Sequence, residues 1–486
     1  MKIKTIEISN YKAFQGVEKL QVGGKNIFIY GENGSGKSSL YYALKDFFQS
    51  STEDIDFNDL ENVFIEESKK GSGKVKVSFK PQQGRVRNYH ASSAGHDHGA
   101  TSDTTIRDAN KLKSFLTYKH LLDIHHLKKG DSINLFNLLV NGVLRHFKYS
   151  LTEGKELGEM WETLQVEITK PTDRAYPINR KKTKINNLIG SFNAAFGELF
   201  KADSPENILD HAKPILDCFE HGLDIQLNFP QLRPSADYLS IENAIVNITI
   251  TYASKSIVEP HLFLNEARLS AIAISIYLGM IKRHPQGIAH KLLFLDDIFI
   301  GLDISNRLPL LTILDQQFSD YQIFITTYDK PWFEYAKSFL QANSGWKTME
   351  FYARKHIGGF ETPYIIDDQD LLKKAKKHLD GSDYKAAAVY TRSAFEEMIK
   401  KHCDNRKNVK YHIKAKKYTS EDFWVALKEQ LTPTMRENVE QYRDLVLNAF
   451  SHYNSEKHEI RVELESAIQV ITDLEEALIE LRNNRS

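Results

Sequence analysis

Ile27-Phe28-Ile29-Tyr30-Gly31-Glu32-Asn33-Gly34-Ser35-Gly36-Lys37-Ser38-Ser39 runs from an apolar, strand-like stretch straight into a glycine-rich turn, and Leu40 to Phe48 follows as a helix-like segment. The turn fits G-x-x-x-x-G-K-[ST] in the strand, loop and helix setting that the pattern requires. Its glycines, Gly34 and Gly36 among them, let successive backbone N–H groups turn inward. With Asn33 and Ser39, the loop and the helix start then form an anion cradle. Lys37 is expected to reach the β and γ phosphates of a nucleotide, and the Ser38 hydroxyl to ligate Mg²⁺.

The chain has 486 residues, which implies two to four folded units. It carries 64 Lys and Arg against 64 Asp and Glu, a balance that argues against a whole-chain nucleic-acid coat while leaving local patches open. Its 2 cysteines, Cys218 and Cys403, exclude a disulfide framework and point to a reducing compartment. Met1 to Thr5 has no apolar signal core, and the apolar run from Leu269 to Ile281 is too short and interrupted to span a bilayer. A cytoplasmic protein without membrane contact is the expectation.

Residues 3–9 alternate as a half-buried strand, and Asn10-Tyr11-Lys12-Ala13-Phe14 turns into a second strand. Lys74 to Phe79 reads as another strand, and the polar segment from Gly84 to Asp103 as a loop. His90, His96, His98, His120, His125 and His126 gather nearby without a familiar metal-ligand spacing, so solvated imidazoles are favoured. Lys111 to Phe219 reads as mostly helical and amphipathic. Leu292-Leu293-Phe294-Leu295-Asp296-Asp297 is a buried strand ending in two carboxylates. In the second half of a nucleotide site, Asp296 would hold Mg²⁺ through water.

The order of these motifs over residues 1 to about 365 resembles the SMC/ABC ATPase superfamily. The resemblance implies an α/β P-loop ATPase head in two halves, 1–110 and 236–366, flanking a short helical insertion, 111–235. It also implies a homodimer, or a higher oligomer, with two ATP molecules sandwiched between phosphate loops and signature helices. Leu264-Asn265-Glu266-Ala267-Arg268 resembles the L-S-x-G-E signature, with Asn265 for the usual serine, Ala267 for the glycine and Arg268 for the acid. An amphipathic core helix is the alternative there. Asp297 sits where many relatives carry the Glu that polarises the attacking water, Gly301-Leu302-Asp303 resembles the D-loop that touches the partner's site, and Tyr328 stands where relatives place a histidine. By the same resemblance Lys12 lies near the phosphates; a solvated turn lysine is the alternative. The shorter acid, the altered signature and the missing histidine together predict slow hydrolysis.

Residues 367–486 read as an all-α unit of two helical pairs, Leu371–Leu379 with Tyr384–Cys403 and Met435–Phe450 with Glu456–Arg482. The pattern resembles the HEPN helical domains. Arg392, Glu396 and His452 look like the metal-free ribonuclease set of the ATPase-linked anticodon nucleases, with His452 as general acid/base and Arg392 facing the phosphorane. An ordinary i,i+4 ion pair and a packed histidine are the alternative. Between Leu371 and Tyr418 stand 14 Lys and Arg against 5 Asp and Glu, which suits RNA or DNA phosphates and also an acidic protein.

The whole chain thus resembles the ATPase subunits of prokaryotic anti-phage systems such as Septu and the retron-associated pairs. That resemblance implies an ATP-bound dimer that regulates a separate nuclease partner. A self-contained RNA-cleaving toxin is the second reading. DNA repair of the RecF kind fits the N-terminal motifs but not the added basic helical unit.

Overall fold

The computed structural model describes residues 1–81, 85–97, 103–119, 121, 133–148, 154–283, 288–341, 345–356, 358–367, 371–404, 419–443 and 460–483. They form two compact units, Met1–Asp367 and Asp368–Ser486.

In chain order, unit 1 begins with β1 (Lys2–Tyr11), β2 (Phe14–Gln21), β3 (Asn26–Gly31) and α1 (Lys37–Gln49). Next come β4 (Lys74–Lys80), β5 (Arg87–Ser92), β6 (Gly95–His96), α2 (Thr105–Lys111) and β7 (Phe115–Thr117). The middle of the unit holds α3 (Leu157–Thr169), α4 (Ile178–Gly197), α5 (Ile208–Asp217), β8 (Leu223–Asn228), β9 (Arg233–Pro234), β10 (Ile241–Glu242), β11 (Asn247–Tyr252) and β12 (Lys255–Ile257). It closes with α6 (Pro260–Phe263), α7 (Glu266–Arg283), β13 (Leu292–Asp296), α8 (Ile304–Gln317), β14 (Gln322–Thr327), α9 (Lys330–Gln341), β15 (Trp346–Lys355) and β16 (Glu361–Asp367).

A six-stranded sheet ordered β16-β15-β3-β14-β13-β7 is parallel except for its edge strand β16. Its strands β13 and β14 are buried at every position and mostly apolar, as strands covered on both faces are. An antiparallel sheet ordered β2-β1-β4-β5-β6 lies on the far side of α1. Leu40, Leu44, Phe47 and Phe48 of α1 share one core with Ile6 and Ile8 of that sheet and with Ile29, Phe294 and Phe324 of the other. The helix that starts at the phosphate loop is therefore clamped between two sheets. Gln322, fully buried, ties them at the rim. Its Oε1 accepts from the Ile3 N–H at 2.6 Å, and its Nε2 donates to the carbonyls of Ile3 (3.1 Å) and Lys25 (2.9 Å).

Three readings of the sequence need correction. The segment from 84 to 103, expected as a loop, contributes β5 and β6. Tyr89 and Ala91 alternate inward against β4, and the polar residues that hid the strand lie on its solvent face. Phe115–Thr117, inside the expected helical insertion, is an edge strand of the central sheet paired with β13. Three residues are too few to show a period. Leu223–Asn228, also inside it, pairs in full register with β11.

Unit 2 comprises α10 (Leu371–Asp380), α11 (Tyr384–Asp404), α12 (Ser420–Lys428), α13 (Pro433–Tyr442) and α14 (Ile460–Asn483). The two-pair reading missed α12, a short helix started by a capping box between Thr419 and Asp422. Its Trp424 packs fully buried against Phe395 of α11, ring centres 5.8 Å apart. Among the described residues, no helix is long and apolar enough to cross a membrane.

Candidate functional site

The phosphate loop needs two left-handed glycines. Gly34 has φ 83° and Gly36, the residue before α1, has φ 96°. At Gly36 a Cβ would fall 2.6 Å from Pro363 Cγ, so the close approach of β16 also demands glycine there. Lys37 folds back over the loop. Its Nζ donates to the carbonyls of Gly31 (2.7 Å) and Glu32 (3.2 Å) and lies 3.9 Å from Asp297 Oδ2. Asn33 and Gly34 are exposed at the loop crest.

The two halves of the site, far apart in sequence, meet at one carboxylate. Ser38 Oγ donates to Asp296 Oδ2 at 3.2 Å, and Thr326 Oγ1 donates to Asp296 Oδ1 at 2.7 Å. Thr326 also accepts the Asp297 N–H at 2.9 Å. That hydroxyl helps hold Asp297 in its left-handed conformation, φ 52°. In the sequence Thr326 is one of two threonines closing an apolar run; its role comes from its place at the end of β14, beside β13. Burial raises the pKa of Asp296 against the lowering effect of Thr326, Ser38 and Lys37. Burial also raises Asp297, to about 6, with Lys37 opposing and Asp296 adding to the shift.

The donor set fits phosphate and a hard cation. Ser35 Oγ and Asp297 Oδ1 are buried polar atoms with no hydrogen-bond partner, both on the walls of the cradle. Ser38 and Asp296 present a hydroxyl and a carboxylate oxygen side by side, the oxygen ligands Mg²⁺ prefers. Lys119 follows β7, whose Thr117 is in register with Asp296, and its charge lowers the Asp296 pKa. Sequence reading gave no sign of it, because β7 itself was not legible.

Lys12 sits at φ 47° in the turn between β1 and β2. Its ammonium lies 4.9 Å from the ring centre of Tyr42 and near Asp46, whose pKa burial raises against the opposing Tyr11 hydrogen bond and the charge of Lys12. The turn reaches the loop through its backbone, the Ala13 N–H donating to Ser39 Oγ at 3.4 Å.

Asn265 caps α7, its Oδ1 accepting the Arg268 N–H at 3.0 Å. Beyond that exposed first turn α7 is buried from Leu269 to Ile281. Arg268, in place of the acid, rests 4.9 Å from the ring centre of Tyr252. Gly301 packs on this turn, where a Cβ would lie 2.5 Å from Ser270 Oγ and 3.6 Å from Glu266 Oε1. Asp303 caps α8 through the Asn306 N–H (3.1 Å) and amide (2.6 Å), and these bonds with that of Ser305 hold its carboxyl low despite burial. Arg307, unremarked in the sequence, bonds the Leu302 carbonyl at 2.8 Å and Asp329 at 2.6 Å. It thereby ties the segment before Asp303 to the end of β14. Tyr328 is 47% exposed.

In unit 2, Arg392 Nε donates to Glu396 Oε1 at 2.9 Å along one face of α11, both side chains about two-fifths exposed. His452 lies outside the described residues. Tyr384 and Tyr390 pack against the helical core. Lys373, Lys376 and Lys377 are exposed on α10. His90 pairs with Asp97 at 2.5 Å, and His98, His120, His125 and His126 lie outside the described residues. Among the described residues no group of three His, Cys, Asp or Glu side chains is placed to hold a metal ion.

No curated protein matches the chain. Among solved structures it is similar to an Smc head domain with an extended coiled coil bound to the C-terminal domain of ScpA, from Pyrococcus furiosus. The identity is 15% over 79% of this chain and 99% of that one, with a TM-score of 0.43. It is also similar to a SmcHead bound to the C-winged helix domain of ScpA (13% identity, 77% of this chain, 100% of that one, TM-score 0.40). The SMC head domain from Thermotoga maritima matches at 11% identity over 76% of this chain and 100% of that one, TM-score 0.34. The family model described as the RecF/RecN/SMC N-terminal domain matches residues 2–349, which include the phosphate loop, the signature-like turn and both carboxylates. The chain belongs to the RecF/RecN/SMC N-terminal domain family.

Proposed function

We propose that the chain is an ATP-binding, slowly hydrolysing ATPase that dimerises on nucleotide and uses the dimer to restrain or release a nuclease effector in anti-phage defence. The observation that carries the ATPase part is the junction at Asp296, which joins Ser38 of the phosphate loop, Thr326 of β14 and, through Thr326, Asp297. Gly34, Gly36 and the N–H groups at the start of α1 hold the phosphates, and Lys37 moves from its own loop carbonyls to the β and γ oxygens. Magnesium, held by Ser38 and Asp296, would neutralise phosphate charge. Asp297 acts as the base toward water.

Three features support slow turnover. Asp297 is one methylene shorter than a glutamate and shares its ionised oxygen with Lys37. Tyr328 cannot act as an imidazole. Arg268 places a cation, stacked on Tyr252, where the family signature has an acid. Dimerisation is supported by the exposed Asn265 and Glu266 at the start of α7 and by the exposed apolar Leu262, Phe263, Ile300 and Ile304, apolar surface of the kind a second copy covers.

A nuclease-regulating role rests on the added basic helical unit. The second reading, an RNA-cleaving enzyme, is favoured by one observation, the Arg392–Glu396 pair on an exposed face of α11. Expression of the chain alone separates them. Growth arrest that His452→Ala or Glu396→Gln abolishes supports the ribonuclease, whereas no arrest without a neighbouring gene product supports the regulator. A phosphate-release assay tests the rate, and turnover at or above about 1 per second contradicts slow hydrolysis.

A further inference from the structure

A cavity of about 430 Å³ opens between the distal end of α1, the edge strand β7 and the turn at Leu138–Val143. That size suits a small ligand. Lys45 enters from α1, Lys113 from the turn after α2 and Arg145 from beyond the Leu138–Val143 turn, against two carboxylates, Glu53 and Glu162. The charges are unevenly matched. Arg145 is bonded to Glu162 at 2.6 Å, but Lys113 Nζ stands 3.9 Å from Glu53, too far for a hydrogen bond.

Lys113 is the unusual member. It is held at φ 46°, and the buried Tyr277 donates its hydroxyl to the Lys113 carbonyl at 2.8 Å, which fixes the turn. Burial lowers the pKa of its ammonium, and Arg145 and Lys45 add repulsion that the carboxylates of Glu53 and Glu156 offset only in part. The opposite wall is a π-helical turn broken at Gly142 (φ −104°, ψ −116°), an irregularity that proteins place at functional sites. Three cations from three separate elements, one of them stripped of much of its water and paired with its carboxylate only at ion-pair distance, converge on one concave space.

We propose that this cavity is a second ligand site, distinct from the phosphate loop, for a small phosphorylated molecule whose phosphate is held by Lys45, Lys113 and Arg145. Arg145 would present two N–H groups to one phosphate and the lysines two point charges, the arrangement that favours phosphate over a monovalent anion.

The test is calorimetric titration of the full chain with inorganic pyrophosphate and, separately, with AMP, the phosphate loop being disabled by Lys37→Ala. One saturable site per chain is expected, weakened at least tenfold by Lys45→Gln and by Arg145→Gln, each added to Lys37→Ala. Tighter binding of AMP identifies a nucleotide as the class of ligand, and tighter binding of pyrophosphate an inorganic one; either supports the site. The same titration of the parent chain saturated with a non-hydrolysable ATP analogue repeats the measurement without the Lys37 substitution. No saturable binding in either background, or binding that both glutamine variants leave unchanged, overturns the proposal.

Discussion

Ser38 Oγ and Asp296 Oδ2 stand 3.2 Å apart, joined across 258 positions of chain. Their contact brings the start of α1 to the end of β13, and Mg²⁺-dependent binding is expected to depend on both. Ser38→Ala and Asp296→Asn should each weaken ATP binding in the presence of Mg²⁺ about 10–100-fold, while binding measured in EDTA changes little. Fluorescent-nucleotide titrations with and without metal check it.

Gly36 is constrained by its backbone conformation and by its packing alike. Gly36→Ala would place an L side chain at φ 96° with its Cβ 2.6 Å from the Pro363 ring, which cannot rotate away. The cost in stability should be about 1–2 kcal/mol, from the left-handed backbone alone. A larger loss of ATP affinity follows if β16 is pushed from the loop. Denaturant unfolding beside nucleotide titration measures both.

Gln322 offers a test of the junction between the two sheets. Gln322→Leu keeps the volume but leaves the buried Ile3 N–H, and the Ile3 and Lys25 carbonyls, without this partner. Unfolding should be easier by about 2–4 kcal/mol. A loss under about 0.5 kcal/mol by urea denaturation would contradict that account.

His290 makes unit 1 acid-sensitive. It is fully buried, stacked on Phe48 and edge-on to Phe79, and burial lowers its pKa to about 4. The unfolded chain therefore binds the proton first. Stability is complete above about pH 6.5 and falls as the pH drops toward 4, by up to about 3 kcal/mol from this one group. His290→Leu should flatten the fall between pH 6.5 and 4.5 in thermal scans.

Much of this was legible in the sequence and some was not, for physical reasons. The phosphate loop and Asp296-Asp297 announce themselves, because tight turns need glycine and strands covered on both faces are apolar throughout. Thr326, Arg307 and Lys119 are silent, since each acts only through a neighbour that folding brings alongside it. Phe115–Thr117 is too short to carry a period, and Arg87–Ser92 faces solvent on one side. The capping box Thr419–Asp422 was a local signal that could have revealed α12.

Asn265 separates a helix cap from a partner contact. Asn265→Asp keeps the acceptor for the Arg268 N–H, so stability should change by less than about 0.5 kcal/mol. It removes the amide donor and adds a negative charge, so ATP-dependent dimerisation should weaken at least tenfold. Asn265→Ala loses the cap as well, at about 1 kcal/mol.

The most direct measurement is the mass of the full chain by analytical ultracentrifugation with and without ATP and Mg²⁺, for the parent and for Lys37→Ala. Closure of two copies around nucleotide predicts that the parent doubles in mass only when both are present and that Lys37→Ala stays at one chain. A parent whose mass ignores ATP, or a Lys37→Ala protein that doubles just as the parent does, would contradict it.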